Sequence, residues 1–300
     1  MLDYPALAAV AAVAREGSFE RAATVLGVTP SAISQRVKGL EERLGAILLT
    51  RGTPCRPTAV GVKLCAHVEQ VLLLESDVVA DLPGLSDHAA GPPRIRVAVN
   101  ADSVGTWFPR AAARFAAETG ALLDLVLDDE GHTADRLRSG EVLAAVTADP
   151  MPVSGCRTHA LGAIDYVATA SPDFMSRFFP QGVDAESLER APMLRFDRRD
   201  GLQARWAEAV FKIRLSPPVH WTPSTQGMLD MALAGLGWSM TPLVLAEPHL
   251  AGGRLVELPP GRRIAVDLFW QRTRLAARLL DRLTDAVRAS AGEALGVQVG

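Results

Sequence analysis

The chain has 300 residues, 48% of them hydrophobic and 22% charged, with a formal net charge of −3. This composition is ordinary for a globular protein and excludes a disordered chain, and the length allows two or three domains. No run of about 18 uncharged apolar residues occurs and no basic segment opens the chain, so neither a membrane span nor a secretory signal is expected. Cys55, Cys65 and Cys156 are odd in number and far apart, and the six histidines stand singly. That usage predicts a reducing, cytoplasmic setting with no disulfide framework and no metal site. The charge is uneven. Residues 1–63 carry eight Lys and Arg against five acids, a local +3, which leaves −6 on the remainder. A basic module on an acidic body fits a local nucleic-acid contact.

Leu7, Val10, Ala11 and Ala14 recur at the spacing of one helical face, and Gly17 ends that helix. Ser18 is placed to cap a second helix with Phe19, Ala22, Ala23 and Leu26 inward. Gly27 makes a tight corner, and Thr29 caps a third helix that starts on Pro30, where the missing amide costs nothing. Ile33, Val37, Leu40 and Leu44 form its apolar face. "AILLTR", the turn-rich "GTPCRP" and a second short strand through Arg56 predict a β-hairpin wing. Thr58 then caps a helix from about residue 59 to 82, roughly 36 Å long. Leu64, Val68, Val71, Val78 and Leu82 form a coiled-coil-like stripe along it, interrupted by Glu75. A second copy of the chain is the expected partner of that stripe, with packing on its own domain as the alternative. Residues 83–94 are rich in Pro, Gly and small residues and read as a hinge.

Beyond the hinge, strand runs alternate with helical patterns. They are "IRVAV", a helix to about Thr119, "LLDLVL", a short helix, "VLAAVT", "YVATA", "PMLRF", helices near 201–213 and 224–234, "GWSMTP" and "AVDLFWQR". A final helix starts near Arg274. This alternation predicts a mostly parallel sheet flanked by helices.

The helical corner carries the most specific chemistry. The DNA major groove admits one helix whose short polar side chains reach base edges. Thr29, Ser31, Ser34 and Gln35 are of that type, and Gln bonds adenine bidentately. Arg36, Lys38, Arg51 and Arg56 are expected to meet phosphates. Ser18, Pro30 and Thr58 complete the candidate DNA-binding set.

"GSFERAATVLGVTPSAISQRVKGLEERLGAILLTR…RPTAVG" resembles the N-terminal winged helix-turn-helix of LysR-type transcriptional regulators. "SQRVKGLE", "VAVNADSVGTWF", "LVLDDEGHT" and "GEVLAAVT" are similar to the branch that controls lysine and arginine export, the LysG/ArgP type. The resemblance implies an all-α winged helix-turn-helix over 1–58, then a dimerising linker helix and hinge over 59–93. It implies a two-lobed α/β effector domain of periplasmic-binding-protein type over 94–300. One lobe would span about 94–166 and 265–300, the other about 167–264. The implied protein binds an operator in double-stranded DNA as a homodimer or homotetramer, with RNA polymerase a further candidate partner. It takes a small effector, lysine or arginine, with a different small molecule as the alternative, and no cofactor. Two positions depart from the family. Pro30 stands where Gln is frequent, and Leu49-Thr50 replaces the Phe before the wing arginine.

Ligands of open α/β sheets sit beyond the carboxyl ends of the strands. Those ends are acidic here, with Asp102, then Asp128, Asp129 and Glu130, then Asp149 and Asp197. Carboxylates suit a cationic side chain and an α-ammonium. Ser103, Thr147, Ser224 and Thr225 are candidate partners for an α-carboxylate, and Trp107 for an aliphatic stem or a cation. A helix-capping role is the alternative for each acid. No GxSxG, P-loop or GxGxxG occurs, so no enzyme activity is expected. A solute-binding protein would lack the winged helix, and an architectural DNA binder would need no cleft.

Overall fold

The computed structural model describes residues 3–82, 92–127 and 133–295. Most of the predicted hinge, and Asp128, Asp129 and Glu130, lie outside the described residues. The N-terminal half contains α1 (Tyr4–Glu16), α2 (Phe19–Val25), α3 (Pro30–Leu44), β1 (Leu49–Thr50), β2 (Arg56–Pro57) and α4 (Ala59–Asp81). Asp3 caps α1 by accepting the Ala6 amide at 3.2 Å. Gly17 closes α1 with φ +66°, and a Cβ there would lie 2.7 Å from the Pro54 Cβ. The Gly17 carbonyl also accepts the Cys55 amide at 2.9 Å, so the tip between β1 and β2 is clamped to the α1–α2 corner. Leu7, Val10, Val13, Ile33, Val37, Leu40 and Leu48 fill the core of this half. Leu44, expected inside, is exposed at the C-terminal turn of α3.

Two contacts set the wing against the helices. The Glu41 carboxylate accepts the amides of Leu48 (2.8 Å) and Leu49 (3.3 Å). The Leu48 carbonyl accepts the Thr58 amide at 2.9 Å, and α4 begins directly against it. Gly61 is required there, because an added Cβ would overlap that carbonyl oxygen. The stripe on α4 divides along its length. Leu64 and Val68 pack into the winged-helix core, whereas Leu73 belongs to the core of the C-terminal half. Val71 is half-buried, and Leu72, Leu74, Val78 and Leu82 are exposed. Within the chain, Leu64 and Val68 thus follow the alternative reading of the stripe, packing on their own domain. Their partners are α1 and its neighbours within the same chain.

The C-terminal half runs β3 (Arg94–Val99), α5 (Ala101–Gly105), α6 (Phe108–Thr119), β4 (Leu122–Leu127), α7 (Thr133–Ser139), β5 (Ala144–Thr147) and β6 (Cys156–Ala170). It continues with α8 (Pro172–Phe178), α9 (Ala185–Arg190), β7 (Met193–Arg195), α10 (Leu202–Phe211), β8 (Val219–Trp221), α11 (Thr225–Leu233), β9 (Ser239–Pro242) and α12 (Leu243–Ala251). It ends with β10 (Val256–Glu257), β11 (Ile264–Thr273) and α13 (Arg278–Leu295). One seven-stranded sheet has the order β10-β6-β11-β5-β3-β4, with β9 also paired to β6. Only β3–β4 and β3–β5 are parallel within it, so the sheet is mixed rather than mostly parallel. The reason is topological. The chain leaves one half of the domain along β6 and returns along β11, and opposite crossings pair antiparallel, from Tyr166↔Ile264 to Cys156↔Thr273. A separate parallel pair, β7–β8, builds the far half. The single helix expected up to Thr119 is broken in two. Pro109 lies in the first turn of α6, and its ring would clash with the carbonyl four residues earlier, at Gly105.

The Gly61 contact gives a direct test. Gly61→Ala is expected to destabilise the chain by about 1–3 kcal/mol, because the overlap is with backbone. Gly39→Ala, in α3 with open space at its Cβ, is expected to stabilise by up to about 1 kcal/mol. Thermal denaturation of the two variants side by side checks both signs.

Candidate functional site

The outer face of α3 is built as the sequence predicts. Thr29 caps it, its Oγ1 accepting the Ala32 amide at 3.2 Å and lying 3.0 Å from the Ser31 hydroxyl. Pro30, Ser31, Gln35 and Lys38 are exposed on one face, with Ser34 half-buried at its margin. Lys38 lies 3.7 Å from Glu42, one turn on. Arg51 and Arg56 project from the wing beside them, Arg51 over the Phe19 ring at 5.7 Å. Three of the predicted DNA-binding residues lie elsewhere or are spent. Arg36 is about 140° around α3 from Ser31, and its charge acts on Asp3 at the start of α1. Thr58 donates to the Ile47 carbonyl at 2.8 Å and accepts the Gly61 amide at 3.2 Å. Ser18 accepts the Arg21 amide and donates to Glu20 at 2.6 Å. The hydroxyls of Ser18 and Thr58 thus hold helix ends, as helix starts require.

The second site is a cavity of about 530 Å³ between the two halves of the C-terminal domain. The residues that follow β3 and β5 form one wall, and α10, α11, β9 and the loop after β7 form the other. Asp102 sits part-buried in it, accepting the Tyr166 hydroxyl at 2.5 Å and the Thr225 hydroxyl at 2.6 Å. Burial pushes the Asp102 carboxyl above the ordinary carboxylate range. The two hydroxyl donors pull it back only in part, and Asp200 adds to the rise. Asp149 and Asp197 also line the cavity. One Asp149 oxygen accepts the Met151 amide at 2.9 Å, and one Asp197 oxygen accepts the amides of Arg199 and Asp200. Each of these two carboxylates keeps a second oxygen.

Ser103, Trp107, Thr147 and Ser224 stand apart from the cavity surface, and Asp129 lies outside the described residues. The Ser103 hydroxyl is buried and accepts the Trp107 indole N–H at 3.0 Å. Trp107 itself is core, because α5 turns both residues into the domain rather than toward the cleft. Thr147 is buried at the end of β5, where its hydroxyl accepts the Asp149 amide at 3.0 Å. The Ser224 hydroxyl caps α11 by accepting the Gly227 amide at 3.0 Å, which leaves Thr225 to face the cleft.

Sequence reasoning missed the neutral acceptors. Asn100 Oδ1 and Gln203 Oε1 are buried, line the cavity and have no hydrogen-bond partner among the described residues. The orientation of Gln203 follows from chemistry, since its Nε2 donates to the Leu194 carbonyl (3.0 Å) and to Asp200 (3.1 Å). Its oxygen must therefore be the atom left over. A buried acceptor without a donor costs free energy that a ligand N–H recovers. Asp200 is itself filled, accepting the amides of Phe196 and Leu202 as well as Gln203. Phe196, Met228 and Met240 give apolar wall, and Arg205 stands exposed at the start of α10. Tyr166 was the most findable omission. It is one of two tyrosines in the chain and opens the run "YVATA".

Comparisons with known proteins bear on both sites. Residues 5–62 match the family model described as bacterial regulatory helix-turn-helix protein, lysR family, and residues 89–292 match the LysR substrate binding domain. The HTH-type transcriptional regulator ArgP of Pseudomonas aeruginosa is 43% identical over 98% of both chains. The crystal structure of ArgP from Mycobacterium tuberculosis superposes with a TM-score of 0.80 at 41% identity, covering 99% of this chain and 100% of that one. Full-length LysG from Corynebacterium glutamicum with bound effector Arg superposes at 0.68 and 36% identity, covering 98% and 99%.

The Asp102 geometry predicts a pH-dependent site. A cationic solute needs the ionised carboxylate, so its affinity is expected to fall as pH drops through the raised Asp102 pKa. Tyr166→Phe removes one donor to that anion. It should weaken binding by roughly three- to tenfold near that pKa and less at higher pH. Calorimetric titration across pH measures both effects.

Proposed function

The chain belongs to the LysR family of bacterial transcriptional regulators, and from that premise we propose that it is a regulator whose effector is a basic amino acid, arginine or lysine. The observation that carries this reading is the acceptor-rich cavity. It holds carboxylates from Asp102, Asp149 and Asp197 beside the two unpartnered acceptors Asn100 Oδ1 and Gln203 Oε1. Such a wall suits a ligand with many N–H donors, and the apolar side chains of Met228 and Met240 suit its aliphatic stem. The bound arginine of the Corynebacterium glutamicum LysG supports the choice. Thr225 and Asp102 then orient the ligand from opposite halves, and the Arg205 guanidinium is available to its α-carboxylate.

On the DNA side, Gln35, Ser31 and Ser34 read bases, while Lys38, Arg51 and Arg56 neutralise phosphates of an operator. Residues 1–58 form this module, 59–93 the linker helix and hinge, and 94–300 the effector domain. The exposed Leu72, Leu74, Val78 and Leu82 on α4 suit self-association as a homodimer or homotetramer. The protein works without a cofactor or catalytic centre, in the cytoplasm, with RNA polymerase as a further partner. The controlled gene is a basic amino acid exporter, an assignment that rests on the branch motifs. The described residues contain no helix long and apolar enough to cross a membrane.

Calorimetry with L-lysine, L-arginine, L-histidine and L-glutamate tests the effector. Binding of arginine or lysine that Asp102→Ala abolishes is expected. Tight glutamate binding with no response to either basic amino acid overturns the reading. For DNA, Gln35→Ala is expected to cost about 1–3 kcal/mol on operator and to relax sequence preference. Equal affinity of variant and parent for operator and for scrambled DNA removes Gln35 from base reading.

A further inference from the structure

α4 is seated on the effector domain at four places along one side. Gly140 (φ +74°), between α7 and β5, lies so close that a Cβ there would be 3.1 Å from the Ala66 Cβ. Leu73 enters the effector-domain core. Near the end of α4, Asp81 accepts both terminal nitrogens of Arg278 at 2.6 Å, and Asp77 accepts the Arg278 amide at 2.9 Å. The fourth place is Glu69. It is half-buried and has no hydrogen bond among the described residues. The charges of Arg96 on β3, Asp124 on β4, Glu141 before β5 and Arg15 on α1 all act on it, with Cys65 one turn away. Arg96 is shared, 3.4 Å from Asp124 and 3.9 Å from Glu141, and Glu141 is also paired with Arg136 of α7. The Asp124 ion pair is made through Arg96 Nε, which is buried and has no geometric hydrogen bond among the described residues. Three carboxylates and three guanidiniums meet in this patch, and among them Glu69 has no hydrogen bond among the described residues.

The same two strands reach the cavity. β3 carries Arg96 near its start and ends at Asn100 and Asp102 of the cavity wall, roughly 13 Å further on. β5 follows Glu141 and ends at Ala148 and Asp149 of that wall. The strands are locked in parallel register, Val97↔Ala144 and Ala98↔Ala145, and the Arg96 carbonyl accepts the Leu143 amide at 3.0 Å. A ligand that draws on Asn100, Asp102 and Asp149 therefore pulls on the far ends of the strands on which α4 sits.

We propose that this seat, with Glu69 on its α4 side and Arg96 on its β3 side, is the joint through which effector occupancy reaches the DNA-binding half. Glu69 and Arg96 are positioning residues that touch neither effector nor DNA. The inference rests on the effector reading above. It carries a sign. The Glu69 pKa stands raised at about 7, with burial the largest cause, Asp124 and Glu141 adding to the rise, and Arg96 and Arg15 opposing it. A carboxyl raised on folding favours the seated form fully at low pH, and that support is lost as pH rises through about 7. The seat is tightest with Glu69 neutral and loosens as Glu69 ionises.

The test uses the full chain and a DNA fragment selected by it from a random-sequence pool. Operator affinity is measured from pH 6 to 8.5 without L-arginine and with L-arginine saturating at every pH, so that the Asp102 titration does not enter, alongside calorimetry of L-arginine. For the parent chain, both the unliganded operator affinity and the arginine-induced change in it are expected to shift by about threefold or more across pH 7. Glu69→Gln should bind L-arginine within about twofold of the parent while losing both pH trends. Arg96→Gln, which removes the opposing cation, should move the midpoint of the trend to higher pH. Glu69→Gln that keeps the parental trends, or Arg96→Gln that leaves the midpoint in place, overturns the joint. Failure of L-arginine to bind the parent overturns the effector reading instead. The unliganded pH profile of Glu69→Gln against the parent then decides the joint alone.

Discussion

A carboxylate held from both sides of a cleft organises the effector domain. Asp102 comes from the helix after β3, Tyr166 from the crossing strand β6, and Thr225 from the first turn of α11 in the far half. The two hydroxyls are aimed at a single anion that burial disfavours. The relation between the halves is thus tied to the protonation and partnering of one side chain. In the proposed reading a cationic ligand would lower the electrostatic cost at that point and supply donors to Asn100 Oδ1 and Gln203 Oε1, which have none among the described residues.

The DNA-binding half depends on close backbone approach and on one buried-facing carboxylate contact. Its wing is held by the Glu41 carboxylate on two amides, by Cys55 on the Gly17 carbonyl, and by the fit of Gly61 against Leu48. These contacts leave the Arg51 and Arg56 side chains of the wing and Ser31, Gln35 and Lys38 of α3 exposed. The net negative charge of the chain therefore says little about its DNA-facing surface.

Much of this was legible in the amino-acid sequence because local chemistry dictated it. Ser18, Thr29 and Thr58 are caps with glycine or proline punctuation nearby, and such signals act within a few residues. The start of β6 was not legible. Residues 156–165 show no alternation, and only the long pairing with β11, about a hundred residues later, makes them a strand. The same limit explains the site. Asp102, Asp149 and Asp197 stood out as acids at strand ends. Tyr166 and Gln203 are ordinary residues of a strand and a helix until tertiary packing turns them toward the cavity. Ser103 and Trp107 failed for the converse reason. They sit beside the right strand end, but the turn of α5 rotates them into the core.

The divided stripe of α4 has a consequence for how such proteins are recombined. Leu64 and Val68 belong to one hydrophobic core and Leu73 to another, on a single uninterrupted helix. No cut within α4 separates two self-sufficient modules. A chimaera that joins this DNA-reading half to a foreign sensor inherits half of an interface, with Ala66, Leu73, Asp77 and Asp81 facing a surface not shaped for them. The exchangeable unit is larger than the domain that reads DNA, and its seam lies on the far side of the linker helix.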